Sequence, residues 1–190
     1  MINSINIQIR ETNTDDFDSI MTVEKQAFGY DKEAQLVADL LADKTAEPMV
    51  SLLAFYKGEA VGHILFTRAY FDAQGAQQMM HILAPLAVKP EYQRQSIGGM
   101  LIRAGIERLQ EKGSCLVFVL GHKEYYPKYG FIPDAARLGY PAPYPILEQF
   151  SDYWMVQAIS PKGFDVDKGK IRCSDELNKP EHWRDDESDR

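Results

Sequence analysis

Within the 190-residue chain, the types and spacing of residues suggest chemistry most directly over Val88-Lys89-Pro90-Glu91-Tyr92-Gln93-Arg94-Gln95-Ser96-Ile97-Gly98-Gly99-Met100-Leu101. An apolar run ends at Val88, a proline-containing turn follows, and a polar, small-residue loop opens into an amphipathic helical pattern. That order makes an anion site. The first amides of a helix lack partners within it, and the helix dipole adds roughly half a positive charge there. Gly98 and Gly99 remove the Cβ atoms that would hold a ligand off the backbone, and Arg94 can add a direct charge. Taken alone, the pattern is equally a plain helix start with two tolerated glycines. Neither a Gly-Lys-Ser/Thr P-loop nor a GxGxxG fingerprint is present.

Gln93-Arg94-Gln95-Ser96-Ile97-Gly98 resembles the Q/R-x-x-G-x-G/A pyrophosphate loop of the GNAT superfamily of N-acetyltransferases, and Leu86-Ala87-Val88-Lys89-Pro90-Glu91-Tyr92 resembles the strand that leads into it. A second stretch, Gly121-His122-Lys123-Glu124-Tyr125-Tyr126-Pro127-Lys128-Tyr129-Gly130-Phe131, resembles the closing motif of that family and looks most like its YhbS-like branch. The resemblance spans about Ile5 to Ile159. It implies acetyl-CoA as acyl-donor cosubstrate. Leu86, Ala87 and Val88 would lie along the pantetheine. Gln93, Arg94, Gln95, Ser96, Ile97, Gly98 and Gly99 would surround the pyrophosphate, and His122 would be a polar cofactor contact. It also implies direct transfer in a ternary complex, with a backbone N–H of the Leu86–Val88 strand polarising the thioester carbonyl and Tyr126 protonating the departing thiolate. Ser96 departs from the pattern, standing where the first glycine is usual; a positive φ there would strain a serine.

The chemistry can be argued without the family. A thiol has a pKa near 8.5 and a phenol near 10, so proton transfer from Tyr126 is feasible; otherwise Tyr126 is a packed aromatic whose hydroxyl bonds the backbone. A lysine-like amine with pKa about 10.4 is neutral at pH 7 about once in 2,500, a penalty of roughly 4.6 kcal/mol. A base, a water relay or a desolvating pocket must remove its proton. Candidate bases are Glu24, otherwise a solvated helix acid, and His81, otherwise a hydrogen-bonded strand residue. The four histidines and two cysteines show no metal-ligand spacing, so no metal site is expected.

The elements that must position these groups follow from periodicity. Ile5–Arg10 alternates as a strand. Thr14, followed by Asp15, Asp16 and Asp18, predicts the cap of a helix ending at Gly29, and Leu36, Val37, Leu40 and Leu41 form the apolar face of a second helix. Val50–Tyr56 and Ala60–Phe71 predict a hairpin, Gln74-Gly75 a turn, Met79–Val88 a further strand, and Gly98–Glu111 a helix closed by Lys112-Gly113. Cys115–Leu120 predicts a doubly buried strand, Glu124–Tyr129 a brief helix, and Tyr153–Ile159 a last strand. The expected fold is α+β: a mixed, mainly antiparallel sheet of about seven strands flanked by helices. Residues 1–160 would form the catalytic domain, and 161–190 a polar extension with a frayed acidic tail.

A formal net charge of −7 argues against a nucleic-acid surface and mildly favours basic substrates. No apolar run approaches the roughly 20 residues that span a bilayer, no basic leader opens the chain, and Cys115 and Cys173 form no disulfide framework, so a cytoplasmic protein is expected. The expected partner is a small-molecule or peptide amine, and assembly as a homodimer is compatible with the sequence. Two other classes fit the same residues: an acyl-CoA-binding regulator without turnover, and an interaction module without cofactor. Thiol release separates the first, and CoA-induced thermal stabilisation the second.

Overall fold

The computed structural model describes residues 6–72 and 78–183. Val50–Tyr56 (β2) and Glu59–Phe71 (β3) form the predicted hairpin around Lys57-Gly58, and Ile7–Glu11 (β1) pairs antiparallel with β2. Met80–Val88 (β4) runs antiparallel to β3, Leu116–Leu120 (β5) parallel to β4, and Trp154–Ala158 (β6) antiparallel to β5. The strand order is β1-β2-β3-β4-β5-β6. Ile171–Cys173 (β7) completes a seven-stranded mixed sheet by pairing with the end of β3, Ala69 opposite Cys173 and Phe71 opposite Ile171. Ala69 also pairs with Met80 of β4, so β7 takes the side of β3 that β2 leaves beyond Phe66.

Phe17–Phe28 (α1) and Lys32–Ala42 (α2) cover one face, packing Ile20, Val23, Val37 and Leu40 on Leu53, Leu65 and Ile82. Ile97–Glu111 (α3) covers the other, where Ile97, Leu101, Ile102 and Leu109 meet Leu52, Ile64, Phe66 and Val119. The cap before α1 is Asn13, not the expected Thr14. The Asn13 side chain accepts from the Asp15 amide at 2.9 Å while Asp16 accepts from the Asn13 amide at 2.8 Å, a reciprocal box that Thr14, one residue inside the turn, cannot form. The brief helix expected over Glu124–Tyr129 is a single 3₁₀ turn, Tyr126–Tyr129, opened by Pro127, which donates no amide.

The segment beyond residue 160 belongs to the same body as far as Trp183. Ile171, Cys173, Leu177 and Trp183 join the core under α1 and α2, and the Trp183 ring sits edge-on to Trp154 with centroids 5.5 Å apart. Ile5, Gln74-Gly75 and the acidic tail lie outside the described residues.

Candidate active site where β4 and β5 part

Pairing between β4 and β5 ends at Leu83 opposite Val119, although β4 continues to Val88. On the other side, Phe66 pairs with Leu83 and Ile64 with Leu86, so Ala84 and Pro85 together oppose Leu65 in a bulge. Ala84–Val88 thus keep β3 as neighbour and lose β5, opening a cleft in the middle of the sheet. Leu86, Ala87 and Val88 lie along its β4 wall.

The strand leads straight into the loop before α3. The Lys89 amide bonds Val61 O at 3.0 Å, and its ammonium, nearly buried, donates to Glu59 at 2.8 Å, where Tyr92 also donates at 3.0 Å. Gln93 Nε2 reaches back to Val88 O at 3.0 Å, tying the loop to the strand end, and Gln95 Nε2 bonds Glu91 O at 3.1 Å. Arg94 and Ser96 both have left-handed backbones, with φ of 58° and 66°. Such a conformation costs an L-residue roughly 1–2 kcal/mol and lets successive amides face one side. The first intrahelical bond runs from the Met100 amide to Ser96 O at 3.0 Å, which leaves Ile97, Gly98 and Gly99 at the open, electropositive end. The Arg94 side chain is exposed.

Gly98 and Gly99 have a different steric purpose from the one expected. A Cβ at Gly98 would collide with the Tyr125 hydroxyl, and one at Gly99 with the Tyr129 ring. The glycines therefore seat the tyrosine turn on the helix start. Tyr125 lies between its neighbours, edge-on to the Tyr126 ring and tilted against the Tyr129 ring, with centroids 5.2 Å from both. Tyr126 is 9% exposed, its ring against Gly121 just past β5 and edge-on to Phe131. Burial alone pushes its phenol well above the ordinary value near 10. The exposed His122 accepts the Tyr125 amide at its carbonyl, starting the turn.

The two candidate bases have contrasting surroundings. His81 is fully buried, with Nε2 2.8 Å from Pro48 O and Nδ1 2.8 Å from Ser114 Oγ. The carbonyl accepts only, so Nε2 carries the proton, and both nitrogens are engaged away from the cleft. Desolvation pushes its pKa down to about 4. Glu24, a candidate base or else a solvated helix acid, is fully buried, with Oε1 2.5 Å from His63 Nδ1. His63 Nε2 is 2.9 Å from Ser51 Oγ, and Glu24 Oε2 has no protein partner. Burial raises the Glu24 pKa, the His63 hydrogen bond pulls it back, and Glu33 repulsion adds to the rise. His63 and Ser51 escaped sequence reasoning, since an alternating strand marks inward positions without saying which helix residue meets them.

A cavity of about 210 Å³ opens on the α2 side of the cleft, lined among others by Glu33, Leu83, Ala84, Leu120, Glu181 and Trp183. Leu83 and Leu120 border the strand divergence, so the cavity reaches the cleft from the face opposite Tyr126 and α3. Its outer wall comes from the C-terminal segment. Among the described residues no cluster of metal-ligating side chains occurs, and no helix is long and apolar enough to cross a membrane.

Known proteins share this arrangement. Residues 8–133 match the model of the acetyltransferase (GNAT) domain family. YjhQ of Escherichia coli K12, an uncharacterised N-acetyltransferase, is 54% identical over 164 residues, 86% of this chain and 90% of its own. Among solved structures, the GNAT family N-acetyltransferase YhbS from Escherichia coli in complex with CoA superposes with a TM-score of 0.81 at 25% identity, covering 94% of this chain and 96% of its own. A GNAT family acetyltransferase from Brucella melitensis in complex with acetyl-CoA gives 0.70 at 27% identity, over 90% and 97% of the two chains. The chain belongs to the GNAT acetyltransferase family.

Proposed function

We propose that the protein transfers an acetyl group from acetyl-CoA to a primary amine, directly, within a ternary complex. The observation that carries this reading is the parting of β4 and β5 at Leu83 and Val119, with the buried Tyr126 on the α3 side and, on the α2 side, a cavity whose charged and titratable lining is Lys32, Glu33, Glu181 and His182. CoA and acetyl-CoA in the two structural neighbours support the cofactor assignment. The pyrophosphate would take the amides at the start of α3, with Arg94 alongside, and the pantetheine would follow Leu86–Val88. The thioester then lies at the cleft, with its carbonyl within reach of a β4 amide.

The amine enters from the α2 side and passes its proton through a water relay to Glu24, which is enclosed, whose Oε2 has no protein partner and whose pKa burial raises. Nitrogen attacks the thioester carbon, the C–S bond breaks, and Tyr126 supplies the proton that makes free CoA thiol. Burial that makes Tyr126 a weaker acid also makes thiolates stronger bases: the buried Cys173 thiol is pushed up to about 12. A CoA thiolate released beside Tyr126 would experience the same desolvation, which keeps the transfer matched. His81, with both nitrogens engaged, is left a structural part.

An acetyl-CoA turnover screen across diverse amines, read by free thiol, tests the reading. Thiol release that depends on the amine is the expected result. CoA binding without release toward any amine would instead leave an acyl-CoA-binding regulator.

A further inference from the structure

Glu24, His63 and Ser51 form an unbroken line from α1 through β3 to β2, with contacts of 2.5 Å and 2.9 Å. Glu24 and His63 are wholly enclosed and Ser51 is 9% exposed. Burying a carboxyl and an imidazole together carries a desolvation penalty that well-packed apolar side chains of similar volume would avoid. Packing alone does not account for the line. The free Glu24 Oε2 sharpens the point, because a buried acceptor without a partner is destabilising unless something else comes to donate to it.

We propose that Ser51 and His63 are positioning residues that hold Glu24 as a base: the Ser51 hydroxyl donates to His63 Nε2, His63 Nδ1–H donates to Glu24 Oε1, and Oε2 is left for the amine proton delivered through water. This rests on the reading of Glu24 as the base. Proton bookkeeping fixes the directions. An ionised Oε1 can only accept, so Nδ1 must carry hydrogen; a neutral ring then presents a bare Nε2, and a hydroxyl is the neighbour able to fill it. Glu24 therefore selects the ring tautomer, the Ser51 hydroxyl completes it by donating to the bare Nε2, and the Nδ1–H bond keeps the carboxylate charged against the pull of burial. The titratable groups acting on Glu24 are His63 from β3 and Glu33 from α2, whereas His81 on β4 is engaged with Pro48 and Ser114. Glu33 lines the α2-side cavity, so the same electrostatic neighbourhood reaches the proposed amine site. At its far end the line meets a second cavity of about 670 Å³, where Ser51 forms part of the wall with Thr12, Phe17, Leu41 and Met49.

Two measurements test this. In the full-length protein labelled with ¹⁵N histidine, the His63 ring at neutral pH is expected to show hydrogen on Nδ1 and a bare Nε2; an Nε2–H tautomer or an imidazolium overturns the proposal. In kcat/KM against pH, Ser51→Ala is expected to move the acid limb upward by at least about half a unit, with the high-pH plateau kept within about threefold, and Ser51→Thr to restore it. A uniform fall at every pH with the limb unmoved would make the line a packing feature only and sink the idea. Glu24→Gln separates the two readings. If it turns over amines like the wild type, Glu24 is not the base, whatever tautomer the ring reports.

Discussion

The Tyr125 hydroxyl occupies the space in which a side chain at Gly98 would begin, so the tyrosine turn and the start of α3 meet at one contact. The loop before α3 and the turn carrying Tyr126 are therefore mechanically joined. A substitution at either side of that contact reaches the other.

Gly98→Val is expected to displace Tyr125 and crowd the amides of the loop, weakening CoA binding by at least about tenfold, or about 1.4 kcal/mol. Calorimetric titration measures the loss, and circular dichroism checks that the fold persists. Near-normal affinity would mean that CoA binds elsewhere.

Tyr126→Phe keeps the ring and removes the proton that the departing thiolate needs. A kcat lower by about 10²–10⁴-fold is expected, with acetyl-CoA affinity within about threefold of the wild type. Tyr125→Phe should instead show in cofactor affinity, since its hydroxyl rests on Gly98. Unchanged turnover in Tyr126→Phe, on a good amine substrate, would assign the proton to water.

Arg94 is exposed beside the loop. Arg94→Ala is expected to weaken CoA more than dephospho-CoA at low salt, and the difference should shrink as salt screens the pair. Equal losses for both ligands would place the guanidinium away from the ribose phosphate.

His81, with its pKa pushed down to about 4, stays neutral in the folded protein while the unfolded chain takes up a proton near pH 6.5. The native state binds fewer protons in that window, so stability falls as pH drops from about 6.5 toward 4, with a slope approaching 1.4 kcal/mol per unit. Glu24, raised by burial, acts in the opposite sense, so the comparison is with His81→Gln, in which Glu24 still titrates. Denaturant melts at pH 7 and pH 5 should show a shallower pH slope in the variant; equal slopes would mean that His81 is protonated in the fold.

The strands and the helix after the loop were legible because their signals are local. The apolar run of Val50–Tyr56 and the 3.6-residue spacing of Leu101, Ile102 and Leu109 need no distant partner to be seen. Ser96 was marked as standing in the place of a usual glycine, where a positive φ would strain it, and its φ is 66°. Glu24 was picked out as a candidate base by its type, but the choice between base and solvated helix acid stayed open, because its partner is 39 residues away on a strand running under α1. β7 and Trp183 were hidden for the same reason. Their polar neighbours read as an extension, whereas Ile171 pairs with Phe71 a hundred residues earlier and Trp183 finds Trp154. Gly98 was identified as an obligate small residue, but only the fold could say that a tyrosine fills the space.

β4 changes character along its length: over Met80–Leu83 it is an interior strand, and from Ala84 to Val88 the side facing β5 is an edge. Exposed edges invite pairing by any extended chain, including another copy of the protein. Ala84 and Pro85 form the bulge opposite Leu65 in this stretch and break the even alternation of the strand, so a second protein strand cannot zip along it in regular register. A narrow ligand with its own sparse set of amide groups escapes that restriction. The bulge thus works as a filter on what may complete the sheet: it discourages self-association through the cleft while leaving the edge open to a polyamide arm.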